Sequence, residues 1–228
     1  MEVLYILKTI TAYFVRHGQT MLNRYNKVQG WIDSPLTDKG INDAISAGNR
    51  LKDIKFSAGF SSDSGRAIKT LKLLLKQNPE NIHLISYQFS ELREMCHGYF
   101  EGTDLSQMWQ FVGEQVQTTT ESGIMKHFGL ERARDLIHKA DLYGDAEDND
   151  MFWKRLNRGF DQLLENSKDQ DNIVVVSHGN TIRSIISKYA PQLDKDYPTR
   201  NGSVTKIILS DTNSPKVIYY DNLDELQS

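Results

Sequence analysis

The chain has 228 residues, 39% hydrophobic and 25% charged, with 27 basic and 30 acidic side chains and a formal net charge of −3. This balance excludes collagen-like and disordered chains and any global basic field for nucleic acid or an anionic membrane, leaving a local cluster of cations as the way to hold a small anion. One cysteine, Cys96, excludes an intramolecular disulfide and fits a reducing cytoplasm, and no apolar run is long enough to span a bilayer.

Residues 1–14 are apolar enough to invite comparison with a signal peptide. Glu2 stands where basic residues belong, Lys8 interrupts the run, and no small-residue cleavage site follows. A strand is predicted at 11–16, then an irregular loop over 18–36. Thr37, in Pro35-Leu36-Thr37-Asp38, is a plausible N-cap for a helix reaching Lys52. A strand at 55–60, an amphipathic helix at 65–76 and a strand at 81–86 follow. Residues 104–168 carry helical patterns broken by Gly113, Gly123, Gly129 and Gly144, the clearest helix covering 151–167. A strand at 173–177, a helix at 180–189 and strands at 203–210 and 216–220 complete the chain. Strands alternating with helices indicate an α/β fold with a largely parallel sheet. The stretch 104–168 reads as a helical insertion beside or above that sheet, with no linker to set it apart as a domain.

Two segments echo each other. Ala12-Tyr13-Phe14-Val15 runs into Arg16-His17-Gly18, and Ile173-Val174-Val175-Val176 runs into Ser177-His178-Gly179. In open α/β sheets, ligands bind at the carboxyl ends of the strands, where both His-Gly turns fall. A helix opening at Gly179-Asn180-Thr181 would present N–H groups to an anion. Together these features suggest phosphoryl transfer to a histidine, since neutral imidazole is a good nucleophile near pH 7. A phosphate dianion repels a nucleophile unless cations surround its oxygens; Arg16 and Arg66 are placed to do so. Glu94, in Glu91-Leu92-Arg93-Glu94, is the best-placed general acid for a leaving alkoxide. Taken singly, each residue has an ordinary explanation. His17 and His178 could be turn residues, Arg66 a solvated helix residue and Glu94 a surface acid. The acids of 141–150 read as a solvated loop, and Cys96 as a small buried hydrophobe. A metal site built from His17, Cys96, His97 and His178 lacks any paired-ligand spacing of the zinc type, and no metal is expected.

The ordered set of motifs resembles the histidine phosphatase superfamily, in its phosphoglycerate-mutase-like branch. The resemblance begins at Arg16-His17-Gly18-Gln19-Thr20-Met21-Leu22-Asn23 and continues through Gly30-Trp31-Ile32-Asp33-Ser34-Pro35-Leu36-Thr37 to Gly40. It resumes at Ser61-Ser62-Asp63-Ser64-Gly65-Arg66, at Leu92-Arg93-Glu94, and at Gly98-Tyr99-Phe100-Glu101-Gly102. The second histidine motif, 174–183, and Asn201-Gly202-Ser203-Val204 close it. The resemblance implies a three-layer α/β/α fold with a mostly parallel central sheet, one domain over 1–228, and the helical insertion over the active site. By the same resemblance His17 becomes phosphohistidine, while Arg16, Arg66 and His178 line the phosphate pocket. Glu94 is the general acid and base. Asn23, the Gln29-Gly30 backbone and Gly179-Asn180 complete the anion site, and His97 lies near the substrate where relatives often carry an aromatic residue. No cofactor is implied, because arginines do the work of a magnesium ion.

The superfamily holds both phosphatases and mutases. In phosphoglycerate mutases the insertion carries a basic cluster, with paired arginines, for the substrate carboxylate and second phosphate. Here it offers Lys126, Arg132, Arg134 and Lys139, and Glu131-Arg132-Ala133-Arg134 does not reproduce that cluster; five acids follow between Asp141 and Asp150. The expected activity is therefore that of a phosphatase, a phosphoric monoester hydrolase acting on a small phosphorylated metabolite in the cytoplasm. The alternatives are mutase-type phosphotransfer and, in another class, an inactive phosphate-binding regulatory module.

Overall fold

The computed structural model describes residues 8–114, 116–194 and 197–224. The first half of the apolar N-terminal stretch, residues 1–7 with Glu2, lies outside the described residues. Six strands form one sheet: β1 (Thr9–Arg16), β2 (Ala58–Ser62), β3 (Ser86–Phe89), β4 (Asn172–Ser177), β5 (Val204–Ser210) and β6 (Lys216–Asn222). Their spatial order is β3-β2-β4-β1-β5-β6, parallel from β3 to β1, with β5 and β6 antiparallel at one side. The helices are α1 (Met21–Arg24), α2 (Asp38–Arg50), α3 (Gly65–Leu75), α4 (Leu105–Glu114), α5 (Glu121–Ala140), α6 (Asn149–Glu165) and α7 (Gly179–Tyr189).

Parallel strands covered on both faces must be apolar on both, which is why β1 and β4 read as unbroken hydrophobic runs. Ile10, Ala12, Phe14, Ile173 and Val175 join a core with Leu156 and Phe160 of α6 and Ile182 and Ile186 of α7. Tyr13, Val15, Val174 and Val176 face the other way, onto Ala47 of α2, Leu51 just after it, and Leu71 and Leu74 of α3. The result is the expected three-layer α/β/α arrangement. Thr37 caps α2 by accepting the Gly40 N–H at 3.1 Å. No helix among the described residues is long and apolar enough to cross a membrane.

Three expectations need correction. The strand predicted at 81–86 lies at Ser86–Phe89, and the one predicted at 55–60 starts at Ala58. Before β3 the side chain of Asn81 does what a ladder would do: its amide accepts from Phe56 N at 3.3 Å and donates to Ile54 O at 3.1 Å. The apolar pattern there was misleading, since Ile82 and Ile85 are exposed. Second, α6 packs on the sheet beside α7, so the part of 104–168 that extends away from the sheet is α4 and α5. α5 is kinked at Gly129, whose φ of 71° lies in the left-handed region that glycine adopts without strain. Third, the acids of 141–150 are only in part a solvated loop: Asp145 and Asp150 are exposed, and the other three are engaged. Asp141 accepts the N–H groups of Tyr99, Tyr143 and Ala146, Glu147 is buried against Arg155, and Asp148 caps α6 through Met151 N at 2.7 Å.

Candidate active site

β1 and β4 run parallel in register, with Arg16 opposite Ser177. The residue after each strand is a histidine, so the two imidazoles emerge side by side at one end of the sheet. Their ring centroids are 5.2 Å apart. His17 is anchored through its backbone: its N–H donates to Ser177 O at 3.1 Å and its carbonyl accepts from Asn201 Nδ2 at 2.8 Å. His17 Nδ1 lies 2.8 Å from the Gly18 carbonyl, which can only accept, so Nδ1 carries the proton. Nε2 is thereby left with its lone pair, facing Arg66 Nε at 3.2 Å. His178 accepts at Nδ1 from Arg66 Nη2 at 3.1 Å, which puts its proton on Nε2, 2.7 Å from Ser62 Oγ. Burial, then the positive charge of Arg66, holds both imidazoles well below the usual histidine range, with Arg16 adding to the effect on His17 and His17 itself to that on His178. Both are therefore neutral at pH 7.

Arg66, in the first turn of α3, spends its five N–H bonds in one small volume. Nη1 donates to Ile32 O at 2.9 Å and Asp33 Oδ1 at 2.8 Å, Nη2 to Gly30 O at 2.7 Å and to His178, and Nε to His17. It is 1% exposed and links both histidines to the loop at 30–33. Arg16 anchors one terminal nitrogen on Thr199 O and packs on Gly179. A Cβ at position 179 would stand 3.2 Å from the Arg16 guanidinium, so the glycine makes room for the cation.

Glu94 reaches the N-terminus of α7. Oε1 accepts from Met95 N at 3.1 Å and Thr181 N at 3.0 Å, and Oε2 accepts from Asn180 N at 2.9 Å. The anion at this helix end is thus a side chain of the protein, and the amide of Asn180 is not free to take a phosphate oxygen. Gly30 N is also committed, to Glu101 Oε2 at 2.9 Å. Oε1 accepts a third bond, from Thr181 Oγ1 at 3.1 Å, so Oε2 is the less occupied oxygen.

A cavity of about 130 Å³ is lined by Arg16, Asn23, Gln29, Glu94, His97, Gly179 and Asn180. Gly30, Arg66 and His178 line a second cleft of about 360 Å³, and His17, covered by Arg66, opens on neither of these two. Asn23 and Gln29 are tied to Thr20, by the Thr20 N–H to Asn23 Oδ1 at 3.2 Å and the Thr20 hydroxyl to Gln29 Oε1 at 2.5 Å. His97 is 5% exposed beside Glu101, Nδ1 to Oε1 at 3.7 Å.

Four contributors escaped the sequence reading. Ser62 orients His178. Asp33 pairs with Arg66. Glu101 accepts the N–H groups of Gly30, Trp31, Ile32 and His97, fixing the loop whose carbonyls hold Arg66. Its only signal was its place in the Gly98-to-Gly102 motif. Arg134, discounted in the sequence, is 1% exposed and lines the 130 Å³ cavity. Its terminal nitrogens donate to neutral oxygens, Asn149 Oδ1 and Ser184 Oγ, and its face lies over Phe152. Burial lowers its pKa to about 10, against the pull of Glu94, so it is a cation at neutral pH. None of the five acids of 141–150 lines this cavity.

The sequence model of the histidine phosphatase superfamily (branch 1) matches residues 12–222. The chain is 29% identical over 202 residues to the 2,3-bisphosphoglycerate-dependent phosphoglycerate mutase of Methanococcus vannielii, covering 80% of this chain and 82% of that protein. It is 28% identical over 196 residues to the enzyme of the same name from Neisseria meningitidis serogroup C, covering 80% and 86%. The crystal structure of phosphoglycerate mutase from Bacillus anthracis matches with a TM-score of 0.88 and 37% identity over 95% of each chain. A putative alpha-ribazole-5'-P phosphatase from Escherichia coli, at TM-score 0.69 and 20% identity over 96% of this chain and 99% of that one, shares the fold. These relatives overturn the expectation of a phosphoric monoester hydrolase, because the proteins similar in sequence are named mutases. The hydrolase argument weighed the insertion by composition. Folding turns Arg134 into the cavity and takes the neighbouring acids out of it.

Proposed function

The chain belongs to the histidine phosphatase superfamily (branch 1), and within it we propose a phosphoglycerate mutase-type phosphotransferase that works through His17. The observation that carries this reading is the 37% identity, over 95% of both chains, to a phosphoglycerate mutase of the same fold. Arg134 supports it from the structure. A phosphoglycerate has a second anionic end, and Arg134 is a buried cation on the cavity wall with no carboxylate among its hydrogen-bond partners in the described residues.

In this reading a phosphoryl group entering the site takes over the bonds that Arg66 makes to the two imidazoles. His17 Nε2 attacks phosphorus while Arg66 and Arg16 take the charge on the oxygens. The new N–P bond forms as the ester P–O bond breaks, and Glu94 gives a proton to the departing oxygen. In the return step the Glu94 carboxylate takes the proton of the other hydroxyl, whose oxygen attacks phosphorus and releases His17. Before the phosphoryl group arrives, His178, donating to Ser62 and accepting from Arg66, holds that guanidinium in place. The names of the relatives supply 2,3-bisphosphoglycerate as the donor substrate that charges His17. In this reading the arginines do the work of a metal ion, and a single thiol is compatible with a reducing cytoplasm.

Incubation with 3-phosphoglycerate and a trace of 2,3-bisphosphoglycerate tests the reading. We expect 2-phosphoglycerate to form with little phosphate release, in EDTA as well as without it, and His17→Ala to abolish it. Phosphate release as fast as isomer formation would refute it.

A further inference from the structure

Glu94 sits on a segment with no regular structure: a short 3-10 turn, Ser90–Leu92, is followed by residues that join no strand. Such a stretch leaves backbone carbonyls that need donors. One side chain supplies most of them. Arg155, on α6, donates from Nη1 to Glu91 O at 2.8 Å and Arg93 O at 3.0 Å, and from Nη2 to Glu94 O at 3.2 Å. Its other two N–H bonds go to Glu147, Nε to Oε1 at 2.6 Å and Nη2 to Oε2 at 2.7 Å. Glu147 holds the same segment further along: Oε2 accepts Cys96 N at 3.0 Å, and Glu147 N donates to Cys96 O at 3.0 Å. All five donors of Arg155 are used, both side chains are buried, and neither lines the cavity that Glu94 enters.

We propose that Arg155, locked by Glu147, is a positioning residue for Glu94, setting where the general acid stands against the leaving oxygen. The planar fork matters here. It addresses three carbonyls and one carboxylate from fixed directions, which an ammonium group cannot do. Trp31 Nε1, on Glu94 O at 3.0 Å, Ser177 Oγ, on Leu92 O at 2.9 Å, and Thr181 Oγ1, on Arg93 O at 3.0 Å, hold three of the segment's carbonyls but make no link to α6. This inference rests on the proposed role of Glu94 in phosphoryl transfer through His17.

The acid matters for an alkoxide leaving group and hardly for nitrophenolate. When His17 is charged, the P–O bond breaks, and an alkoxide needs the proton from Glu94 while nitrophenolate departs without it. The experiment compares the rate of His17 phosphorylation by 2,3-bisphosphoglycerate and by p-nitrophenyl phosphate in rapid quench. Arg155→Met should slow the first on the order of 100-fold and the second less than about 5-fold, at unchanged KM. Removing one partner of a buried ion pair is strongly destabilising. Arg155→Lys, which keeps the charge and loses the fork, and Glu147→Gln are therefore measured alongside, each with a selective loss of about 10-fold. Equal losses on both donors, or no selective loss in any folded variant, overturn the proposal. Failure of the mutase reading shows differently, as a wild-type protein that phosphorylates His17 and does not form 2-phosphoglycerate.

Discussion

Glu101→Gln removes one negative charge from a carboxylate that accepts four backbone N–H groups. Gly30 and Ile32 reach Oε2 at 2.9 and 3.2 Å; Trp31 and His97 reach Oε1 at 2.9 and 3.0 Å. Burial pushes this carboxyl up, but the hydrogen bonds and charge of His97, with the Trp31 N–H, outweigh it and hold the carboxyl at about 2 instead of 4.5. A carboxyl so depressed contributes about 3 kcal/mol to stability. The contribution is complete above pH 4.5 and is lost as pH falls through about 2. Glutamine keeps the shape and one acceptor oxygen but turns an NH₂ group toward N–H donors. We expect urea unfolding to show the variant about 3 kcal/mol less stable at pH 7, with the gap narrowing by about 2 kcal/mol at pH 3 as Glu101 of the unfolded wild-type chain takes up its proton. The consequence for activity follows from the loop. Gly30 O and Ile32 O hold Arg66, so a loosened loop lowers kcat/KM for phosphoglycerate by about 10-fold or more, in line with one charge-assisted hydrogen bond. A stability gap that does not change with pH, or one below about 0.5 kcal/mol at pH 7, would refute the reasoning.

Three further outcomes are expected. His17 and His178 are held neutral well below the usual histidine range, whereas in the unfolded chain they protonate near pH 6.5. Stability should therefore fall as pH drops below about 6.5, by about 1.4 kcal/mol per pH unit for each histidine, until the folded values are reached. His17→Asn should flatten that slope in urea titrations, and an unchanged slope removes the assignment. Arg134→Met should raise KM for 3-phosphoglycerate about 10- to 100-fold with kcat little changed, as loss of a charge-assisted anchor predicts; equal KM values would take Arg134 out of the site. Gly179→Ala places a methyl 3.2 Å from the Arg16 guanidinium. Its kcat/KM should fall while stability stays within about 1 kcal/mol, because alanine suits the first turn of α7; full activity would mean that Arg16 moves freely.

The sequence alone determined the parts whose signal is local. The apolar runs of β1 and β4, the His-Gly turns after them and the Thr37 cap each depend on neighbours in the chain. Convergence of His17 and His178 followed from parallel strands ending at one edge of the sheet. Tertiary structure alone decided what depends on partners distant in sequence. Asn81 displaced the predicted strand by bonding Ile54 and Phe56. Arg134 became a wall of the cavity instead of a surface cation because Asn149 and Ser184 hold it there. Glu147 left the acidic run for the interior because Arg155 was waiting to receive it. Composition counts charges, but a charge acts through its distance and its burial, and both are fixed only when segments far apart in the chain pack together.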